Sequence, residues 1–299
     1  MAAPIRRLLP CFACLLVLSV ACGRRAEHVR TARSFISQWN YDRALTEIIQ
    51  YRTAHDPEIQ YLIGICYLRK NEYREAMNYF RASLNADSAY RDSIVKVYSS
   101  LARNAMAIND MPRALRHYQD LSNLIPESDQ SNNLFAIGDL NFDQRNYLSA
   151  VEAYTRALEL DSVSRRAKTA RPKLIKALVN CDSFERALRL ATRDYERLKV
   201  AENLLIMSEI KFNIGQRLLA VEQYDSAKVY FQSIIDQQEP KSLLDDSYFY
   251  LGEIYVKCDS IDAALNAYKK VLNLNPYQKG DIVKKAQERL NQLKGTKGK

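Results

Sequence analysis

An alanine returns through this chain at a nearly fixed interval. Ala44, Ala76, Ala114, Ala150, Ala187, Ala227 and Ala264 stand 32, 38, 36, 37, 40 and 37 residues apart. Each follows a large apolar or aromatic residue by three positions. Most precede another by four, as in Ala44/Ile48, Ala76/Phe80, Ala114/Tyr118, Ala150/Tyr154, Ala227/Phe231 and Ala264/Tyr268. Self-similarity at such a period belongs to stacked helical hairpins, because one hairpin cannot bury its apolar face alone. The expected fold is therefore an all-α solenoid. A stack of hairpins offers a surface to bind, so the expected activity is interaction rather than chemistry.

Two units carry the full pattern. One reads Leu251-Gly252, Tyr255, Ile261, Ala264, Tyr268 and Pro276; another reads Ile63-Gly64, Tyr67, Tyr73, Ala76 and Phe80. This order resembles the tetratricopeptide repeat, with a leucine-glycine pair and tyrosine on the first helix, then alanine, an aromatic and a closing proline on the second. The resemblance covers roughly Ala26 to Pro276 and implies a right-handed α-solenoid of about seven hairpins with a C-terminal capping helix. The glycine lets two helices cross closely, and the second-helix alanine does the same from the facing side. The aromatic one turn later fills the gap between hairpins.

The remaining units are looser. The fifth keeps Phe184 and Ala187, but Ala191 replaces the aromatic and Pro172 lies inside its first helix. That proline predicts a late helix start or a kink. The sixth has an unusually long helical pattern from Val200 to Gln223. A solitary helix over residues 281–294, with Ile282, Ala286, Leu290 and Leu293 on its apolar stripe, reads as the cap closing a solenoid of residues 26–280. Residues 295–299 read as a basic, mobile tail.

The first residues follow another logic. Arg6 and Arg7 precede an apolar run from Cys11 to Val20, the pattern of a secretory signal over residues 1–21. Leu18-Ser19-Val20-Ala21-Cys22 resembles a bacterial lipoprotein signal, which implies lipidation of Cys22 followed by a short tether over residues 22–25. Ser19-Val20-Ala21 also satisfies an ordinary signal-peptidase site, which would leave the product soluble in the periplasm. No acidic run follows Cys22, so the outer membrane facing the periplasm is the expected location. Cleavage before Cys22 removes two arginines and lowers the net charge from +9 to +7. The basic residues read as spread over solvated helix faces, and an exported chain is not expected to bind nucleic acid.

No catalytic constellation emerges. His28, His55 and His117 are isolated, and Cys66, Cys181 and Cys258 lie in separate units without metal-ligand or CxxC spacing. These three cysteines are expected as buried free thiols with a structural role. Asp87-Ser88, Asp161-Ser162 and Asp259-Ser260 read as caps and turns between helices. No P-loop, nucleophile elbow or dinucleotide fingerprint is present. The chain is expected to need no cofactor or metal and not to be an enzyme.

The resemblance places the first helices along a concave groove. Tyr61, Phe135, Phe212 and Phe249 each stand three residues before a first-helix glycine, a position often exposed to that groove, with Ile65, Asp139, Gln216 and Glu253 one turn on. Those rings are either groove anchors or packing residues. Arg103, Lys173 and Lys176 are the basic groove candidates; the lysine and asparagine clamp for a terminal carboxylate known in the family is missing. The expected partner-binding set is Tyr61, Arg103, Phe135, Lys176, Phe212 and Phe249. The chain is similar to repeat lipoproteins of β-barrel assembly and, over Tyr248 to Leu293, to the repeat protein of the Tol-Pal system. The function expected is a non-catalytic periplasmic scaffold that holds an envelope protein or peptide segment. The alternative is a protein that binds cell-wall glycan or a surface ligand.

Overall fold

The computed structural model describes residues 9–53, 55–275 and 280–297, with side chains from residue 23 to residue 294 of these ranges. Arg6, Arg7, Pro276, Gly298 and Lys299 lie outside them, as does the side chain of Cys22. Among the described residues there are fifteen α-helices and no strand. They are α1 (Leu9–Ser37), α2 (Tyr41–Ile48), α3 (Pro57–Arg69), α4 (Tyr73–Ala86), α5 (Arg91–Ala107), α6 (Met111–Ser122), α7 (Ser131–Asp143) and α8 (Tyr147–Leu160). Then follow α9 (Arg165–Asn180), α10 (Phe184–Leu198), α11 (Ala201–Ala220), α12 (Tyr224–Gln237), α13 (Leu244–Lys257), α14 (Ile261–Leu274) and α15 (Asp281–Lys297). Consecutive pairs make seven hairpins, and α15 stands alone. The chain forms two compact units, residues 1–140 with 156–162 and residues 141–155 with 163–299.

Each hairpin turns in the same way. One residue per turn takes the left-handed conformation: Trp39, Asn71, Asn109, Arg145, Asp182, Glu222 and Asp259, at φ between 54° and 64°. The next residue donates its N–H to the carbonyl five positions back, as in Asn40 to Phe35 (2.9 Å), Asp110 to Ala105 (2.8 Å) and Ser260 to Tyr255 (2.8 Å). This closes the first helix with its carbonyls satisfied. The same residue then starts the second helix, accepting from the repeat alanine four positions on, as in Ala114 to Asp110 and Ala264 to Ser260. The turn lies five residues before each alanine, so the alanine period is also the turn period.

All seven repeat alanines are fully buried. The first-helix glycines face the second-helix ring. A Cβ on Gly64 would lie 2.8 Å from Phe80, on Gly215 2.8 Å from Phe231, and on Gly252 2.6 Å from Tyr268. No side chain fits there without moving an aromatic ring. In the first unit the core runs through Ile63, Cys66, Phe80, Ile94, Tyr98, Ala114 and Leu121. In the second, Phe231 and Ile254 form one cluster, and Tyr268, Val271, Val283, Ala286 and Leu290 another.

The fifth hairpin has its own solution. Twelve residues before each alanine stands a small residue, Ala32, Gly64, Ala102, Gly138, Gly215 or Gly252, but in the fifth hairpin it is Ile175. Ile175 is 4% exposed and Ala191, where an aromatic was expected, is 1% exposed. Large and small have exchanged helices, so the volume between α9 and α10 is kept.

Of the late start or kink expected at Pro172, the late start does not occur: α9 begins at Arg165, where Ser164 Oγ accepts from the Ala167 N–H, and it carries Pro172 inside. Residues 22–25, expected as the tether after Cys22, are helical as part of α1; Arg24 and Arg25 favour a helix, and Gly23 costs about 1 kcal/mol relative to alanine. The cap runs to Lys297, so the tail expected from residue 295 begins as helix. Its buried stripe is Val283, Ala286 and Leu290, with Ile282 and Leu293 at the margin. The long helix expected in the sixth unit is present as the 20 residues of α11.

Candidate partner-binding surface

Of the four candidate groove aromatics, two are buried and two are half-buried. Phe135 is 1% exposed and Phe249 7% exposed. Tyr61 and Phe212 are half-buried. The geometry explains why. A residue three positions before the glycine shares its helix face, so it meets the same second-helix ring. Tyr61 lies 6.0 Å from Phe80, Phe212 5.5 Å from Phe231 and Phe249 5.7 Å from Tyr268, between ring centroids. Further rings extend these contacts: Tyr61 to Tyr90 at 5.2 Å, and Phe212 to Tyr250 at 5.5 Å. Burial pushes the Tyr61 hydroxyl above its usual pKa.

Arg103 on α5 and Lys176 on α9 are exposed, and Lys173 is half-buried. Both Arg103 and Lys176 directly follow the small-residue position of their hairpins. Arg33 occupies the same place in the first hairpin, directly after Ala32. Arg33 pairs with Glu58 on α3, and Arg25 with Asp56. These two ion pairs cross a shallow cleft of about 430 Å³ between α1 and α3, which Arg30, Ala26 and Val29 also line.

Glu253 has a structural task. It accepts the Tyr268 hydroxyl at 2.5 Å and two bonds from Arg289 at 2.8 Å each. A bidentate guanidinium–carboxylate pair is directional, so Glu253 ties the capping helix to α13. Ile65, its counterpart in the second hairpin, is buried.

In the first unit, His117 is 3% exposed and lies between Tyr73 and Tyr98, at 5.7 and 6.2 Å. Among the described residues its Nδ1 has no hydrogen-bond partner, nor do Tyr98 Oη and Asp120 Oδ2. Burial, aided by Arg113, Arg116 and Arg69, holds its pKa below the usual histidine value. Burial raises that of Asp120 against the pull of Arg116. Cys66, Cys181 and Cys258 are free thiols, but the burial expected of all three holds only for Cys66; Cys181 is intermediate, and Cys258, which ends α13 in a hairpin turn, is exposed. Desolvation pushes the Cys66 thiol up to about 12. Asp87 caps a short turn by accepting from the Ala89 N–H at 2.9 Å, and Asp259 occupies a hairpin turn.

Models of the tetratricopeptide repeat match residues 29–91, 131–163 and 245–278. No curated protein matches the sequence at a significant level. Among solved structures, that of Naa15/Naa10 bound to HypK-THB aligns with 90% of this chain at 16% identity and a TM-score of 0.50. This chain spans 39% of that relative, and the likeness is one of fold. The C-terminal part of a TPR repeat-containing protein from Cytophaga hutchinsonii aligns over 88% of this chain and 99% of its own, at 16% identity and a TM-score of 0.47. YrrB, described as a TPR protein with an unusual peptide-binding site, aligns over 64% and 90%, at 20% identity and a TM-score of 0.41.

Proposed function

The chain is a tetratricopeptide-repeat protein, and from that premise we propose that it is an exported, lipid-anchored scaffold for another protein of the bacterial cell envelope. Tetratricopeptide-repeat proteins are generally non-catalytic scaffolds, and a protein–protein interaction role follows from the repeats themselves. One observation carries the reading furthest. The repeated small and aromatic positions are consumed by packing, while the exposed first-helix positions are held by charged groups such as Arg103 and Lys176. Such a stack keeps its shape while its surface varies, which suits a binding platform.

Export rests on Arg6, Arg7 and the apolar run that ends in Ala21-Cys22. No described helix is long and apolar enough to cross a membrane, so in this reading acylated Cys22 supplies the attachment. One acyl chain binds only marginally, and stable anchoring takes more than one. The outer membrane facing the periplasm is the proposed location. The glycan-binding alternative drew on first-helix rings free to stack on sugars, and those rings are packed.

Intact mass of the membrane fraction tests the anchor. The expected species starts at Cys22 and carries acyl groups; a soluble chain with a free Cys22 thiol contradicts it. Crosslinking in the native envelope tests the scaffold, with a defined envelope protein as the expected adduct. Adducts to wall glycan alone would point to the alternative.

A further inference from the structure

We propose that the exposed face of α9 is a docking site for a short acidic segment of the scaffold's protein partner. The inference rests on the scaffold reading and names the chemistry of what the scaffold holds. The basic residues, expected to be spread over the helix faces, gather here. From Ser162 to Cys181 the sequence has six Lys or Arg and no Asp or Glu, and all six lie on α9. The exposed residues of α9 are Arg165, Lys168, Thr169, Lys176 and Asn180, cations and neutral polar groups without an acid. Other first helices expose both signs: Arg30 with Glu27 on α1, Lys96 with Asp92 on α5, Arg217 with Glu209 on α11. A surface that serves only solubility interleaves the two signs, as those helices do and α9 does not.

Helix stability does not explain the row. Arg165 and Arg166 open α9, where the helix dipole favours acids, and no basic residue stands in its last turn, where the dipole favours cations. Nor do neighbouring acids neutralise it. Among the described residues no ion pair engages Arg165, Lys168 or Lys176. Asp194 is taken by Arg171 and Arg197, and Asp182 by Arg217. Glu185 and Glu196 stand on α10, one turn from Arg189 and Arg193. Arg165 and Lys176 share one side of α9 three turns apart, about 16 Å along its axis, with Lys168 between them. An extended chain spans that length in about five residues, so a segment with carboxylates at both ends matches the row in sign and in length. Carboxylates take guanidinium and ammonium groups through charge-assisted hydrogen bonds. A peptide also brings N–H donors, and α9 has an acceptor for one: Pro172 has no N–H to give the Lys168 carbonyl its helix bond. That favours a protein segment over a lipid phosphodiester, which brings acceptors alone.

The test uses the full mature chain and a short fluorescent peptide of Glu and Ser with Glu at both ends. Binding should weaken by about tenfold or more in R165Q/K168Q/K176Q, and as salt rises. It should stay unchanged in R189Q/R193Q, which removes exposed arginines from the other helix of the same hairpin. Thermal melting checks that each variant folds, and K176Q alone serves if the triple variant does not. Equal affinity of the α9 variant and wild type overturns the proposal, and so does an equal loss in R189Q/R193Q. A wild-type chain that binds phosphatidylglycerol vesicles and not the peptide overturns it as well. If the α9 variant still captures the envelope partner at the wild-type level, the row is overturned and the scaffold reading stands.

Discussion

Glu222 and Arg145 each hold φ at 61° in a hairpin turn, a conformation that suits glycine, asparagine or aspartate. Asn71, Asn109, Asp182 and Asp259 suit it better. Glu222→Gly should therefore raise stability by about 1 kcal/mol, the usual cost of a side chain there, read from urea unfolding. A second expectation concerns the exchanged pair in the fifth hairpin. Ala191→Phe alone should overpack the α9–α10 contact and cost about 1–3 kcal/mol, and Ile175→Gly alone should leave a cavity. The double variant should recover much of the loss; additive losses would mean that the two residues do not share one volume. A third concerns pH. His117 has a lowered native pKa, so the unfolded chain binds the proton more tightly. Stability should fall as pH drops from ~6.5 through the native value, and His117→Phe should flatten that part of the melting profile. Asp120, with a raised pKa, acts in the opposite sense at lower pH. The buried alanines could be read from spacing alone. The Ile175/Ala191 exchange could not, because its signal is a correlation between two helices.

At the scale of elements, helix order and pairing were legible because alanine and turn share one period. Ends were less so. Pro172 predicted a late start or a kink, and the late start is absent: Ser164 caps the helix eight residues before it, and packing of Ala167, Ala170 and Leu174 holds the first turns in place. The cap was legible as an amphipathic stripe, but its link to Glu253 lies 36 residues away in sequence and left no local trace. Removing residues 281–299 exposes Phe249, Tyr268 and Val271, which α15 covers. Hydrogen exchange should then rise first in α13 and α14, while removal of residues 295–299 alone should leave it unchanged. Equal protection in both truncations would show that α15 does not stabilise the hairpin it covers.

For the whole molecule, small and aromatic positions hold the hairpins together, and in the proposed scaffold the charged exterior is what is left to hold a partner. The repeat made the first task visible in the sequence. The second is harder to read at Tyr61, Phe135, Phe212 and Phe249, because a ring one turn from a glycine looks the same on paper whether it faces solvent or the neighbouring helix; Phe135 and Phe249 are buried, and Tyr61 and Phe212 half-buried. The most direct test measures melting and envelope-partner recovery on the same set of variants. Phe135→Ala and Phe249→Ala should lose about 3–5 kcal/mol of folding stability, as buried rings do, while Arg103→Ala and Lys176→Ala should melt like wild type and recover less partner. Aromatic variants that melt like wild type yet lose the partner would contradict the account and return the binding site to the rings.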